Sequence, residues 1–129
     1  MPFRILAKEI RPLMRKAVRL SREHREICGV IVENGYFLHL IEVRNKSKCP
    51  GSFWLHFGDV NRVDNACQRL GNTIVGTFHS HIIGAEPSRP DIAGADHGQL
   101  MLILDTCWRE IGLWRIREAR AYRLKHQLI

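Results

Sequence analysis

Thr77-Phe78-His79-Ser80-His81-Ile82-Ile83-Gly84-Ala85-Glu86-Pro87-Ser88-Arg89-Pro90-Asp91 is the stretch on which the reading of this chain turns. The apolar run Ile74-Val75-Gly76-Thr77-Phe78 that leads into it predicts a buried strand. Side chains two residues apart on a strand point to the same side, so His79 and His81 face one way. A loop containing glycine and proline follows, and Asp91 opens a predicted short helix over 91–97. Two imidazoles and one carboxylate form a three-ligand set, and a fourth position left to water is the pattern of a catalytic zinc. His-x-His alone is a weak signal; Ser88-x-x-Asp91 closely downstream strengthens it. Ser88-x-x-Asp91 is also a capping-box arrangement with Asp in place of Glu or Gln, and the two roles are compatible.

The 129 residues suit one domain, 1–129, with a single core. Hydrophobic residues at 45% and charged residues at 26% describe a globular chain rather than a disordered one. The formal charge of +7 permits an anionic partner, but the basic residues are scattered and carry no recognition motif, so nucleic acid is not an expected ligand. No apolar stretch approaches the roughly 20 residues needed to span a bilayer, and the start has no signal-peptide core. Cys28, Cys49, Cys67 and Cys107 form no C-x-x-C pair, which predicts reduced thiols and a cytoplasmic setting.

Outward from the histidine strand, Ile10, Leu13, Met14, Ala17 and Val18 share one stripe, predicting an amphipathic helix over 9–23 with Pro12 in its first turn. Glu26-Ile27-Cys28-Gly29-Val30-Ile31-Val32 predicts a strand that begins on a carboxylate. Asn34-Gly35 predicts a two-residue hairpin turn, with 36–43 as the returning strand. Residues 53–57 read as a short strand. Val60, Val63, Ala66, Cys67 and Leu70 predict a second helix over 59–70, started at Asp59 and stopped at Gly71. Leu100 to Leu104 predicts a buried strand ended by Asp105, and 112–117 with 119–124 a final meander. The sum is an α/β domain: one mixed sheet flanked by helices. Trp108 and Trp114 are expected in or beside the core, and so are Trp54 and Phe57, with a substrate groove as their second reading. His97 is expected on the surface and Cys28 buried.

Glu26 in Glu26-Ile27-Cys28-Gly29, His79-Ser80-His81 and Glu86-Pro87-Ser88-Arg89-Pro90-Asp91 together resemble the motif of the JAMM metalloproteases, the catalytically active branch of the MPN domain. The flanking residues look like those of bacterial and phage members. The resemblance covers about residues 5–124. It implies the MPN fold, a zinc ion on His79, His81 and Asp91, Glu26 as the base that takes a proton from water, and Ser88 as hydrogen-bond donor to the oxyanion. Two departures stand out: six residues separate His81 from Ser88 where the family has about seven, and Ile82 replaces the usual proline. Gly84 could absorb the shorter loop.

The function so implied is hydrolysis of an amide or isopeptide bond. Its substrate would be a ubiquitin-like conjugate or a cell-wall or phage-tail peptide, with loops 46–57 and 82–90 as groove walls. The competing reading is an MPN-fold scaffold whose metal site is weak or lost. A zinc nucleobase deaminase is disfavoured, because its His-x-Glu and Pro-Cys-x-x-Cys are missing. Composition leaves the oligomeric state open.

Overall fold

Eleven elements order themselves around one mixed sheet in the structure, a computed structural model that describes residues 2–129. They are β1 (Phe3–Ile5), α1 (Ala7–Ser21), β2 (Cys28–Glu33), β3 (Leu38–Val43), α2 (Phe57–Leu70), β4 (Thr73–His81), α3 (Arg89–Ala93), β5 (Leu100–Asp105), β6 (Glu110–Arg117), β7 (Arg120–Leu124) and β8 (His126–Leu128). The strand order is β7-β6-β5-β4-β2-β3-β1-β8. Strands β4 and β5 run parallel, as do β1 with β3 and β1 with β8; the other pairs are antiparallel. This is the mixed sheet with flanking helices that the sequence predicts.

Period-two alternation sorts the side chains into two faces. Ile31, Phe78, Leu102 and Leu104 point to the α1 side, where Ile10, Met14 and Ala17 bury the apolar stripe of that helix. Val30 and Val32 point the other way and pack with Cys67 of α2. Met101 and Ile103 do the same beside Ile92 of α3. Phe78 is fully buried in the α1 core, a burial worth about 2–3 kcal/mol. Its neighbours His79 and His81 therefore face the side that carries α2 and α3. Gly29 is required where β2 passes Phe78, because a Cβ there would run into the Phe78 ring and the Ile41 carbonyl.

Several boundaries differ from the sequence expectation. Helix α1 begins at Ala7, so Pro12 sits inside the helix rather than in its first turn. Strand β2 starts at Cys28, leaving Glu26 just before it. The β2–β3 connection is wider than Asn34-Gly35: Asn34 Oδ1 accepts from Tyr36 N–H and Phe37 N–H, and Glu33 pairs with Leu38. Residues 53–57 form no strand, only a bridge between Asn45 and Leu55. Helix α2 starts at Phe57 with His56 as its cap, the Nδ1 accepting from Asp59 N–H, while Gly71 ends it in the left-handed region at φ 72°. Asp91 is the third residue of α3 rather than its opener, since Ser88 is the cap. Trp108, Trp54 and Phe57 are exposed, not core, at 72%, 68% and 75%. The two three-residue strands β1 and β8, which end the sheet beyond β3, have no periodicity long enough to announce them.

Candidate metal centre

His79 and His81 end β4, between β2 on one side and β5 on the other. Ser80 points away from them and ties down the neighbouring chain: its Oγ accepts from Ile27 N–H at 3.0 Å, and its N–H donates to Ile27 C=O at 3.1 Å. Glu26, one residue upstream, is thereby fixed beside the strand although it lies outside β2. Asn45 Nδ2 adds a second restraint by donating to the Glu26 carbonyl at 2.9 Å. The end of β4 is held by Thr106, whose Oγ1 donates to the His81 carbonyl at 3.0 Å.

The third candidate ligand arrives from the loop. Gly84 adopts φ +96°, a conformation that L side chains rarely take, and the chain turns back towards the sheet there. Ser88 then caps α3, with Ser88 N–H and Asp91 N–H each bonded to the other's side chain. The shorter loop still delivers Asp91. Its Oδ2 lies 3.0 Å from His79 Nε2 and 3.1 Å from His81 Nε2, and the two Nε2 atoms are 3.0 Å apart. Three donor atoms thus form a near-equilateral triangle.

That triangle fits a metal ion. Ligand atoms about 2.0–2.1 Å from zinc at tetrahedral corners stand about 3.3 Å from one another. Two imidazoles and a carboxylate are also an ordinary donor set for that ion. His79 is completely buried, and Phe53 stacks on its ring at 4.2 Å and 23°. His79 Nδ1 has no hydrogen-bond partner among the described residues, so packing holds this ring. Sequence reasoning missed the part played by Phe53, Asn45 and Thr106, because a stacking contact or a side-chain brace leaves no mark on local spacing.

Burial and charge set the protonation states. Burial lowers the His79 pKa and outweighs the hydrogen bond to Asp91. For His81 burial also opposes the charge, but the Asp91 carboxylate wins and the net shift is upward. Asp91 is held well below the usual carboxylate range: burial opposes this, but the hydrogen bonds from both histidines prevail. Glu26 goes the other way, pushed up to about 7 by burial, with His81 opposing and Asp91 adding. Burial likewise pushes the Cys28 thiol up to about 12, with the charges of Glu42 and Glu26 adding, so it remains a neutral buried side chain as expected.

Glu26, His81, Ser88 and Asp91 all line one cleft of 760 Å³. Residues 51–55, including the exposed Trp54, form one wall, and Ser88 and Pro90 stand on another. Both expected loops therefore contribute. Gly94 to Asp96 and Gln99 add a wall that the sequence reading did not include. The structure brings together all five residues singled out beforehand: His79, His81 and Asp91 as a triangle, Glu26 and Ser88 on the same cleft. A larger cavity of 870 Å³ lies on the α1 side and contains none of them, so chemistry rather than size marks the site.

The family model for prokaryotic homologs of the JAB domain matches residues 8–124. No curated protein matches the chain. A solution structure of a protein from Desulfitobacterium hafniense is similar at TM-score 0.83 and 18% identity, over 98% of this chain and 92% of that one. A JAB1/MPN domain protein from Archaeoglobus fulgidus is similar at TM-score 0.57 and 12% identity, over 100% and 99% of the two chains. A structure described as a metalloprotease-like zinc site in the proteasome and signalosome is similar at TM-score 0.59 and 14% identity, over 98% and 99%. At these identities the structures speak for the fold, and the family model for the lineage: the chain belongs to the JAB/MPN-domain family, among its prokaryotic homologs.

Proposed function

We propose that this protein is a zinc-dependent peptidase or isopeptidase that hydrolyses an amide bond beside an extended tail. The observation that carries the reading is the triangle of His79 Nε2, His81 Nε2 and Asp91 Oδ2, with the Glu26 carboxyl on the same cleft. These three atoms would hold the metal. Zinc bound there would supply Lewis acidity for the scissile carbonyl and a water of lowered pKa.

The chain's own groups suit the rest of the chemistry. A carboxyl with a pKa of about 7 can take a proton near neutrality and return it to a leaving amine, which is the work of Glu26. Ser88 Oγ accepts from Asp91 N–H, leaving its own proton free to point into the cleft at a developing oxyanion, an interaction worth about 3 kcal/mol.

Substrate grip follows from residues 51–55. Strands β2 and β4 pair with each other and offer no open edge at the site. The hydrogen bonds of Trp54 C=O with Lys46 N–H and of His56 N–H with Arg44 C=O turn those groups inward. The alternate backbone groups of Phe53 and Leu55 have no partner among the described residues and face the other way. An extended peptide could pair there, with few side-chain demands. We favour the flexible tail of a ubiquitin-like modifier joined to an amine, over a cell-wall or phage-tail peptide. All four cysteines are free thiols, and no helix is long and apolar enough to cross a membrane; both are compatible with work in a cytoplasm.

The test is a panel of ubiquitin-like fusions, isopeptide-linked conjugates and cell-wall peptides, incubated with zinc-loaded protein and with Glu26→Gln as the blank. Cleavage of tail-linked conjugates is expected. Cleavage of cell-wall peptides alone would keep the chemistry and refute the substrate; no cleavage by zinc-loaded protein would move the assignment to a scaffold.

A further inference from the structure

Helix α1 carries arginines in a row on the side of the sheet opposite the metal centre. Arg11, Arg15, Arg19 and Arg22 are spaced three or four residues apart and so share one side of the helix. With Arg109 from the β5–β6 turn they rim the cavity of 870 Å³. None of the five is in an ion pair among the described residues, whereas Lys16 on the same helix pairs with Glu42 and Glu9 with His39. No acidic side chain lines the cavity. Its floor is apolar, made by Ile10, Met14 and Val18 of α1 with Leu128 across from them. Leu128 remains 47% exposed.

Five guanidinium groups around a concave apolar floor call for a ligand that is both anionic and apolar. A nucleic-acid backbone would use the charge and leave the floor uncovered. A bilayer takes up apolar side chains that project, whereas Ile10 and Met14 are buried and, of the apolar lining, only Leu128 and Ile129 are exposed. From Arg11 to Arg22 the row is about 16 Å long, about three turns of a facing helix. We propose that this groove docks an acidic amphipathic helix of a partner protein. The apolar face would lie on Met14, Val18 and Leu128, and the Asp/Glu side along the arginine row. Docking there leaves the metal cleft open on the other face.

The probe is a fluorescein-labelled helical peptide of about 16 residues with leucine on one face and glutamate on the other, followed by anisotropy with the full chain. Saturable binding that weakens with salt is expected. Arg15→Glu with Arg19→Glu should weaken it about tenfold or more, and Arg15→Gln with Arg19→Gln less so. Arg117→Glu with Arg120→Glu, at the β6–β7 turn, makes the same change in net charge and should leave binding unaltered. All four positions are exposed, so the fold is not at risk, and circular dichroism checks it. The proposal is overturned if wild type does not bind the peptide, or if both Glu double variants behave alike. It is also overturned if serine in place of the peptide's leucines costs nothing, or if phosphatidylglycerol vesicles or duplex DNA bind the arginine row more tightly than the peptide does.

Discussion

Ser88 and Asp91 hold each other in both directions: Asp91 N–H donates to Ser88 Oγ at 3.2 Å, and Ser88 N–H donates to Asp91 Oδ2 at 2.8 Å. The same Oδ2 faces both histidines at 3.0 and 3.1 Å. One carboxylate oxygen closes a helix cap and completes the triangle of donor atoms, so the cap orients the carboxylate. Ser88→Ala should then cost about 1 kcal/mol of stability through the lost cap, and slow hydrolysis by a further amount of about 3 kcal/mol. Ser88→Thr should restore most of both. If Ser88→Ala loses stability yet cleaves at the wild-type rate, Ser88 is a cap alone.

His79, His81 and Asp91 could hold a metal ion, and the proposed zinc can be tested directly. Protein prepared without chelator should carry about one zinc ion per chain by elemental analysis, and His79→Ala with His81→Ala should carry none. Binding should weaken in acid, because the imidazoles must be neutral to ligate. Wild-type protein that takes up no zinc at neutral pH would point to the scaffold.

Glu26→Gln preserves shape and removes the proton acceptor. It should keep zinc and lose hydrolysis by orders of magnitude, measured by single-turnover cleavage of whichever conjugate the wild type accepts. A variant as fast as wild type would remove Glu26 from the role of base.

The same side chain makes stability depend on pH in metal-free protein. Its carboxyl is raised from 4.5 to about 7, chiefly by burial, so the folded chain holds this proton more tightly than the unfolded chain does. Its contribution is therefore fully present below about pH 4.5 and lost as pH rises through about 7. The whole difference is about 3 kcal/mol. Urea unfolding of wild type and Glu26→Gln, compared at about pH 5 and about pH 8, should show the wild type losing ground to the variant at the higher pH. An equal difference at both values would contradict the raised pKa.

Gly84 tests the short loop. With φ at +96°, Gly84→Ala should strain the turn by about 1–2 kcal/mol and weaken zinc binding through Asp91. Inserting one residue between Ile82 and Gly84 should leave zinc affinity roughly unchanged or improve it. A severe loss on insertion would show that the six-residue spacing is itself the working geometry.

Local rules made much of this protein legible in its sequence. The side shared by His79 and His81 follows from strand period alone, as the buried stripe of α1 follows from helical period and the end of α2 from Gly71. Ser88 and Asp91 could be read as cap and ligand together because a capping box is set by residues three apart. Tertiary structure decided the rest. Glu26 stands by the histidines because Cys28 pairs with His79 across β2 and β4, and that register depends on two segments far apart in the chain. Phe53 stacks on His79 from a segment that reads as a strand in the sequence and folds as a loop. Trp54 and Phe57, apolar enough for a core, are left outside because α2 already buries its contacts through Val60, Val63 and Cys67. Periodicity and backbone preference act between neighbours in sequence, whereas register, stacking and the shift of a buried carboxyl arise only when distant segments exclude water together.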